Sequence, residues 1–220
     1  MLIVLDHFTW YQQSAYRWAG DGLTAYIDPW GLAGELGPAD VIFITHAHFD
    51  HYSPDDIGRI RKDGAVIVAP HDVAADLTGQ VRPVAPGDTV EAAGVKAQAV
   101  PAYNIVEGRE QNHPRSSRWV GYLLELDGTT YYHAGDTDHL PELEELRANV
   151  AFLPIGGSGY TMDASEAAAL ARAIAPDVAV PMHYGGFVDG CGAESDAERF
   201  TREAAPVTVE ILTPENPFRA

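Results

Sequence analysis

No apolar run in this chain is longer than a β-strand needs, and that limits its fold more than any other feature. Runs at residues 2–5, 24–27, 41–44, 65–69, 95–100, 120–126, 129–133, 150–155, 178–182 and 207–212 are each about four to eight residues long. They are rich in Val, Ile and Tyr and bounded by Gly, Pro or Asp, as strands between turns are. The junction Leu126-Asp127-Gly128-Thr129 reads as a hairpin, because Asp-Gly supplies the positive φ angles of a type I′ turn. Helices are expected between the later strands. Ser53 offers an N-cap, Pro54 the first helical position, and Asp55 and Asp56 acid in the first turn. Asp163 and Glu166 resemble a capping box ahead of an alanine-rich helix that Pro176 stops, and Ser195 with Glu198 repeats the device before Phe200. Antiparallel pairs come first and strand–helix alternation later. The expectation is an α/β chain (α+β by some definitions) of two sheets sandwiched by helices. With no linker, repeat or low-complexity tract, residues 1–220 are expected to form one domain around one substantial core.

Composition narrows the setting. The single cysteine, Cys191, excludes an intrachain disulfide. The start MLIVLDHFTW has no basic segment and meets Asp6 after a short apolar run, unlike a signal peptide. No run approaches the roughly 18 apolar residues of a spanning helix, so a cytoplasmic protein is expected. Net charge is −18, from 14 Lys and Arg against 32 Asp and Glu, which repels phosphate backbones. The cations cluster only at Arg109, Arg115 and Arg118, so nucleic acid is not the expected partner; a small molecule is. Solubility or a salt-adapted host is the plain explanation of the acidity, and oligomeric state is not set by the sequence.

The chemistry concentrates in Thr45-His46-Ala47-His48-Phe49-Asp50-His51, directly after the run at 41–44. A strand ending there throws the next residues into a loop at the sheet edge. In extended backbone, His46 and His48 point the same way. Imidazole nitrogens and carboxylate oxygens are the ligands zinc prefers, and four in one turn exceed what one tetrahedral zinc with an open position needs. Two adjacent metals are expected, His46 and His48 serving one, Asp50 and His51 the other. Two more strand ends carry residues of this kind: Asp136 beyond 129–133, suited to bridge two cations, and His183 beyond 178–182, suited to the second metal.

HxHxDH, then Tyr132-His133-Ala134-Gly135-Asp136-Thr137-Asp138, then Pro181-Met182-His183-Tyr184, resembles the metallo-β-lactamase-fold metal-dependent hydrolases. It is most similar to the single-domain branch related to lactonase-like and N-acyl-phosphatidylethanolamine phospholipase-like proteins. The resemblance runs from Asp28-Pro29-Trp30 to His183 and implies a four-layer αββα sandwich with a binuclear site between two mixed sheets. It also implies His46 and His48 on the first metal, Asp50, His51 and His183 on the second, and Asp136 as bridge. The family's third histidine for the first metal has no clean counterpart. Asn104 stands where it is expected, and His113 follows nine residues later in the loop with the arginines. An amide oxygen is a poor zinc ligand, so His113 is the expected ligand. If neither binds, the site is mononuclear. Asp28 resembles the family's buried acid that fixes a ligand imidazole, with a plain strand-end Asp the alternative.

The cofactor expected is zinc, two per chain, with manganese or nickel as rivals. The activity expected is hydrolysis of a small-molecule ester, lactone, thioester or phosphodiester by metal-activated water, with Asp50 or Asp136 accepting a proton or aiming the nucleophile. A serine nucleophile is not supported, because Gly156-Gly157-Ser158-Gly159 lacks the elbow spacing, and Cys191 has no motif around it. Di-iron redox relatives carry Glu where this chain has His48. A catalytically silent metal-binding or interaction protein on the same fold is the other alternative. His133 is open between a role behind the ligands and core packing. His7, His71 and His139 are read as structural, and Trp30, Tyr103, Tyr160 and Met162 as groove wall or core. The loop arginines are expected to favour an anionic group on the substrate.

Overall fold

The computed structural model describes residues 5–218. Two mixed β-sheets lie face to face. The first has the order β1 (Phe8–Gln12), β2 (Ala15–Gly20), β3 (Leu23–Ile27), β4 (Ala39–Phe43), β5 (Arg61–Pro70), β6 (Val81–Val84). Its first three strands pair antiparallel and the rest parallel. The second sheet begins at β7 (Thr89–Ala92) and continues through β8 (Val95–Pro101), β9 (Val120–Leu126), β10 (Thr129–His133), β11 (Val150–Pro154) and β12 (Val178–Met182) to β13 (Thr208–Val209). It repeats the plan: antiparallel from β7 to β10, parallel from β10 to β13.

Side-chain alternation builds the layers. Along β4 and β5, Val41, Phe43, Val66 and Val68 enter the core between the sheets, where Phe43 meets Tyr122 of β9 with ring centroids 5.2 Å apart. The intervening Ile42, Ile44, Ile67 and Ala69 face outward, onto Ile57 and Ile60 of α1 (Pro54–Ile60) and Val73 of α2 (His71–Ala75). Helices this short do not stand alone. Burial of these side chains, worth about 1.5–3 kcal/mol each, holds them on the sheet. On the far side, α3 (Ala164–Ile174) and α4 (Ser195–Glu203) bury Leu170, Ile174 and Phe200 against the second sheet. The result is the αββα sandwich.

Several local expectations hold in detail. Ser53 caps α1 by accepting from the Asp56 amide. Asp163 and Glu166 form a capping box on α3, and Asp127 and Gly128 turn the β9–β10 hairpin with φ of 48° and 68°. Others do not. Glu194, not Ser195, occupies the N-cap of α4, and no side chain bonds there; Asp196 instead accepts from the Ala193 amide. The run at 207–212 shrinks to the two residues of β13, a sheet edge with one partner. The run at 2–5 lies outside the described residues except Leu5, which opens a 3-10 turn, Leu5–His7. Strands β1, β2, β6 and β7 were not anticipated by the apolar runs.

Candidate metal centre

Four strand ends meet at one edge of the sandwich. β4 leads into His46, His48, Asp50 and His51; β10 into Asp136; β12 into His183; β8 into the loop that carries His113. All seven expected ligand residues come together there. Side-chain donors of His46, His48, His113 and Asp136 lie within 4.8 Å of one another, and so do those of Asp50, His51 and His183. Asp136 stands between the groups, with Oδ2 3.3 Å from His113 Nε2 and 3.1 Å from His183 Nε2, and Oδ1 3.3 Å from His51 Nε2. Two ligand atoms sharing a tetrahedral zinc at about 2.0–2.2 Å are about 3.3–3.6 Å apart. The spacings match.

The outer nitrogens of three imidazoles are tied down so that the inner ones face the pocket. Asp28 accepts from His51 Nδ1 at 2.7 Å and also from the Thr45 hydroxyl and amide, both at 2.7 Å. With its hydrogen committed to Asp28, the Thr45 oxygen accepts from His46 Nδ1 at 2.9 Å. His113 Nδ1 donates to Asn104 Oδ1 at 2.8 Å. Each arrangement leaves a lone pair on Nε2, the tautomer that binds metal, and fixes the ring. Inside, His51 Nε2, His113 Nε2 and Asp136 Oδ1 are buried without a hydrogen-bond partner. Orphaned buried polar atoms are costly, and a cation among them removes the cost. The residues fit a metal.

The charges point the same way. Burial pulls the His51 imidazolium down, but Asp136, Asp50 and Asp28 outweigh it and hold it at about 10. Burial likewise lowers His183, and Asp136 lifts it well above the ordinary imidazole range. Burial raises the Asp50 carboxyl, and His51 and His183 bring it down to about 2. The buried carboxylates Asp28, Asp50 and Asp136 thus demand positive charge, which protons on His51 and His183 satisfy when metal is not bound.

Residues 7–183 match the family model of the beta-lactamase superfamily domain. The chain belongs to the beta-lactamase superfamily. A UPF0173 metal-dependent hydrolase of Methanopyrus kandleri is 33% identical over 221 residues, covering 92% of this chain and 93% of that one. A solved protein from Parabacteroides distasonis superposes with a TM-score of 0.83 at 32% identity, covering 94% and 93% of the two chains. Igni18, a metallo hydrolase of the archaeon Ignicoccus hospitalis, does so at 0.77 and 26%, covering 95% of each. The metallo-β-lactamase sandwich and the metal-dependent hydrolase class are therefore those of this chain's relatives as well as of its own geometry.

Apart from the loop arginines, the other residues lie where the sequence reading allows. His133 donates to the Ser14 carbonyl through Nε2 and packs on Tyr16 and Phe152, as a core residue does. His7, His71 and His139 lie elsewhere, on Ala19, at the start of α2 and on Glu144. Met162 is core, and Tyr103 bonds Glu142 away from the metal pocket. The arginines do not face the groove. Arg109 is held by Asp138 and Glu166, both at 2.9 Å, while Arg115 lies over Tyr103 and lines a separate depression with Arg118.

Three contributors escaped the sequence reading. Gln13, fully buried in the β1–β2 turn, donates to Asp50 Oδ2 at 3.1 Å and sits 3.0 Å from His183 Nε2. Its carbonyl also accepts from the His183 amide. Trp119 covers His46, His48 and His113 with ring centroids 4.9–5.7 Å away. Gly156 packs so tightly that any Cβ would strike the His183 carbonyl oxygen. The only sequence signal for Gln13 is a polar Gln12-Gln13-Ser14 step between aromatic-rich stretches.

Proposed function

We propose that the protein is a binuclear hydrolase of a small-molecule ester, lactone, thioester or phosphodiester. The observation that carries this is the convergence of five imidazoles and two carboxylates, among which His51 Nε2, His113 Nε2 and Asp136 Oδ1 are buried without a hydrogen-bond partner. His46, His48 and His113 would hold one ion and Asp50, His51 and His183 the other, with Asp136 shared. A histidine-rich set of this kind favours zinc, with manganese and nickel as rivals. Bound ions would supply an acidified water, its pKa brought from about 16 towards 7, and would polarise the scissile carbonyl or phosphoryl group. The chain's own work is orientation. Asp28, Thr45 and Asn104 lock the imidazoles, and Gln13 clamps Asp50. Asp50 is held as a carboxylate, so it can accept a hydrogen bond from the attacking water and aim it.

Elemental analysis after gentle purification tests the metal count, with close to two per chain expected. Less than half a metal per chain, not restored on reconstitution, would refute the binuclear centre. His46→Ala and Asp136→Asn should abolish hydrolysis and lower metal content while the circular dichroism of the sandwich persists. A fully metallated, active His46→Ala protein would refute the ligand assignment.

A further inference from the structure

We propose that the substrate carries a short, uncharged apolar group beside its scissile bond, of the size of a benzene ring or a chain of about six carbons. This rests on the hydrolase reading above and names the substrate class of that same site. The groove over the metal centre encloses about 150 Å³. Its floor is the metal pocket, and its walls are Phe49, Tyr160, Val188 and Cys191. A cavity of about 150 Å³ with apolar walls is known to take benzene. The walls come from three loops: Phe49 from the β4 loop, Tyr160 from the loop before α3, Val188 and Cys191 from the loop after β12.

Exposure marks the same place. Large apolar side chains left in water are Phe49 at 65%, Ile105, Val106, Tyr160 at 40% and Ile211 among the described residues. Phe49 and Tyr160 line the groove, and Ile105 and Val106 follow Asn104, whose amide bonds the Tyr160 carbonyl. Phe49 stands edge-on against Trp30, ring centroids 5.7 Å apart, so the outer wall is braced. Apolar surface gathered around one concave site marks a binding surface.

Charge excludes the alternative. No lysine or arginine is among the described residues that line the groove. Arg109 spends its guanidinium on Asp138 and Glu166, and Asp138 is itself occupied by the Ile105 and Val106 amides. An anionic tail would therefore lie against apolar walls that offer no lysine or arginine, on a chain of net charge −18. The metals would serve the reacting group, not the tail.

Hydroxamates bind metal without being hydrolysed, so they separate this inference from catalysis. Zinc-reconstituted protein, its metal content measured in the same sample, is titrated by calorimetry with hexanohydroxamic acid and with adipic acid monohydroxamate, its carboxylate-ended counterpart. The alkyl compound should bind at least about tenfold more tightly, and Val188→Lys should reverse the order. Equal binding, or preference for the carboxylate in the unmodified protein, overturns the inference while leaving the metal centre standing. Failure of both compounds to bind a metallated protein also overturns it. A protein that takes up no metal refutes the hydrolase reading itself.

Discussion

Asn104 and His113 act in series, and their variants should separate the ligand from its support. His113 Nε2 faces Asp136, while Nδ1 donates to Asn104 Oδ1 at 2.8 Å in a site where His113 is 1% exposed. Asn104→Ala leaves that N–H buried without an acceptor, a cost of about 1–3 kcal/mol. If the cost falls on the ring orientation that metal requires, affinity at the first site drops about 10–100-fold, the range that outer partners of ligand histidines generally show. His113→Ala removes the donor itself, so metal content should fall from about two per chain to about one. Asn104→Asp restores an acceptor for Nδ1 but loses the bond from the Asn104 amide to the Tyr160 carbonyl. Recovery of affinity in Asn104→Asp therefore assigns the effect to the imidazole; continued weakness assigns it to the loop. Competition with a chelator at neutral pH, followed by elemental analysis, reads all three. Two tightly held metals in His113→Ala, or unchanged affinity in Asn104→Ala, would show that the first site is built otherwise.

Gln13→Ala should weaken the second site by about 10–100-fold and spare the first, because the lost amide contacts only Asp50 and His183; chelator titration showing equal loss at both sites would contradict this. Gly156→Ala should lower thermal stability and cost the second metal, since the added methyl strikes the His183 carbonyl, where His183 already has φ of 58°; a variant with unchanged melting and full metal would refute that packing argument. In the metal-free protein His51 and His183 are both raised above the ordinary imidazole value, so loading metal in weak buffer at neutral pH should release protons. The sign is firm. A raised histidine stabilises the fold fully below its unfolded value near 6.5 and loses that contribution as pH rises through about 10 for His51. Melting of the metal-free protein should thus fall between those values, and a flat profile with no proton release would contradict the charge balance described.

Much of the fold was readable because interior strands carry strong local signals. β4, β5 and β9 to β12 are buried on both faces, so their apolar runs are nearly continuous. The strands that escaped are mainly those at sheet edges. β6 has Arg82 and Pro83 in its four residues, and β7 has Glu91; edges tolerate such residues because one side has no ladder to satisfy. β1 and β2 were hidden by their mixture of aromatics with Thr9, Arg17 and Gln12, although Trp10, Tyr16 and Trp18 are core residues.

The site divides along a similar line. Candidate ligands clustered in one heptapeptide announce themselves, since little else explains three histidines and an aspartate in six positions. Asp136 and His183 were visible because each follows a recognisable strand. Gln13, Trp119 and Gly156 were not, because their roles exist only across the sandwich. Gln13 meets Asp50 and His183 from a hairpin 37 and 170 residues away in sequence. A glutamine in a turn has an ordinary local explanation, and nothing local says that its amide is buried against two ligand residues. The arginines erred in the opposite direction. Their proximity to His113 in sequence read as a charged groove, yet Asp138, two residues after Asp136, claims Arg109 from below. Local pattern therefore locates atoms that must bind something, while tertiary pairing decides which charges remain free to meet a substrate. That is why the metal pocket could be read from the chain and the polarity of the groove could not.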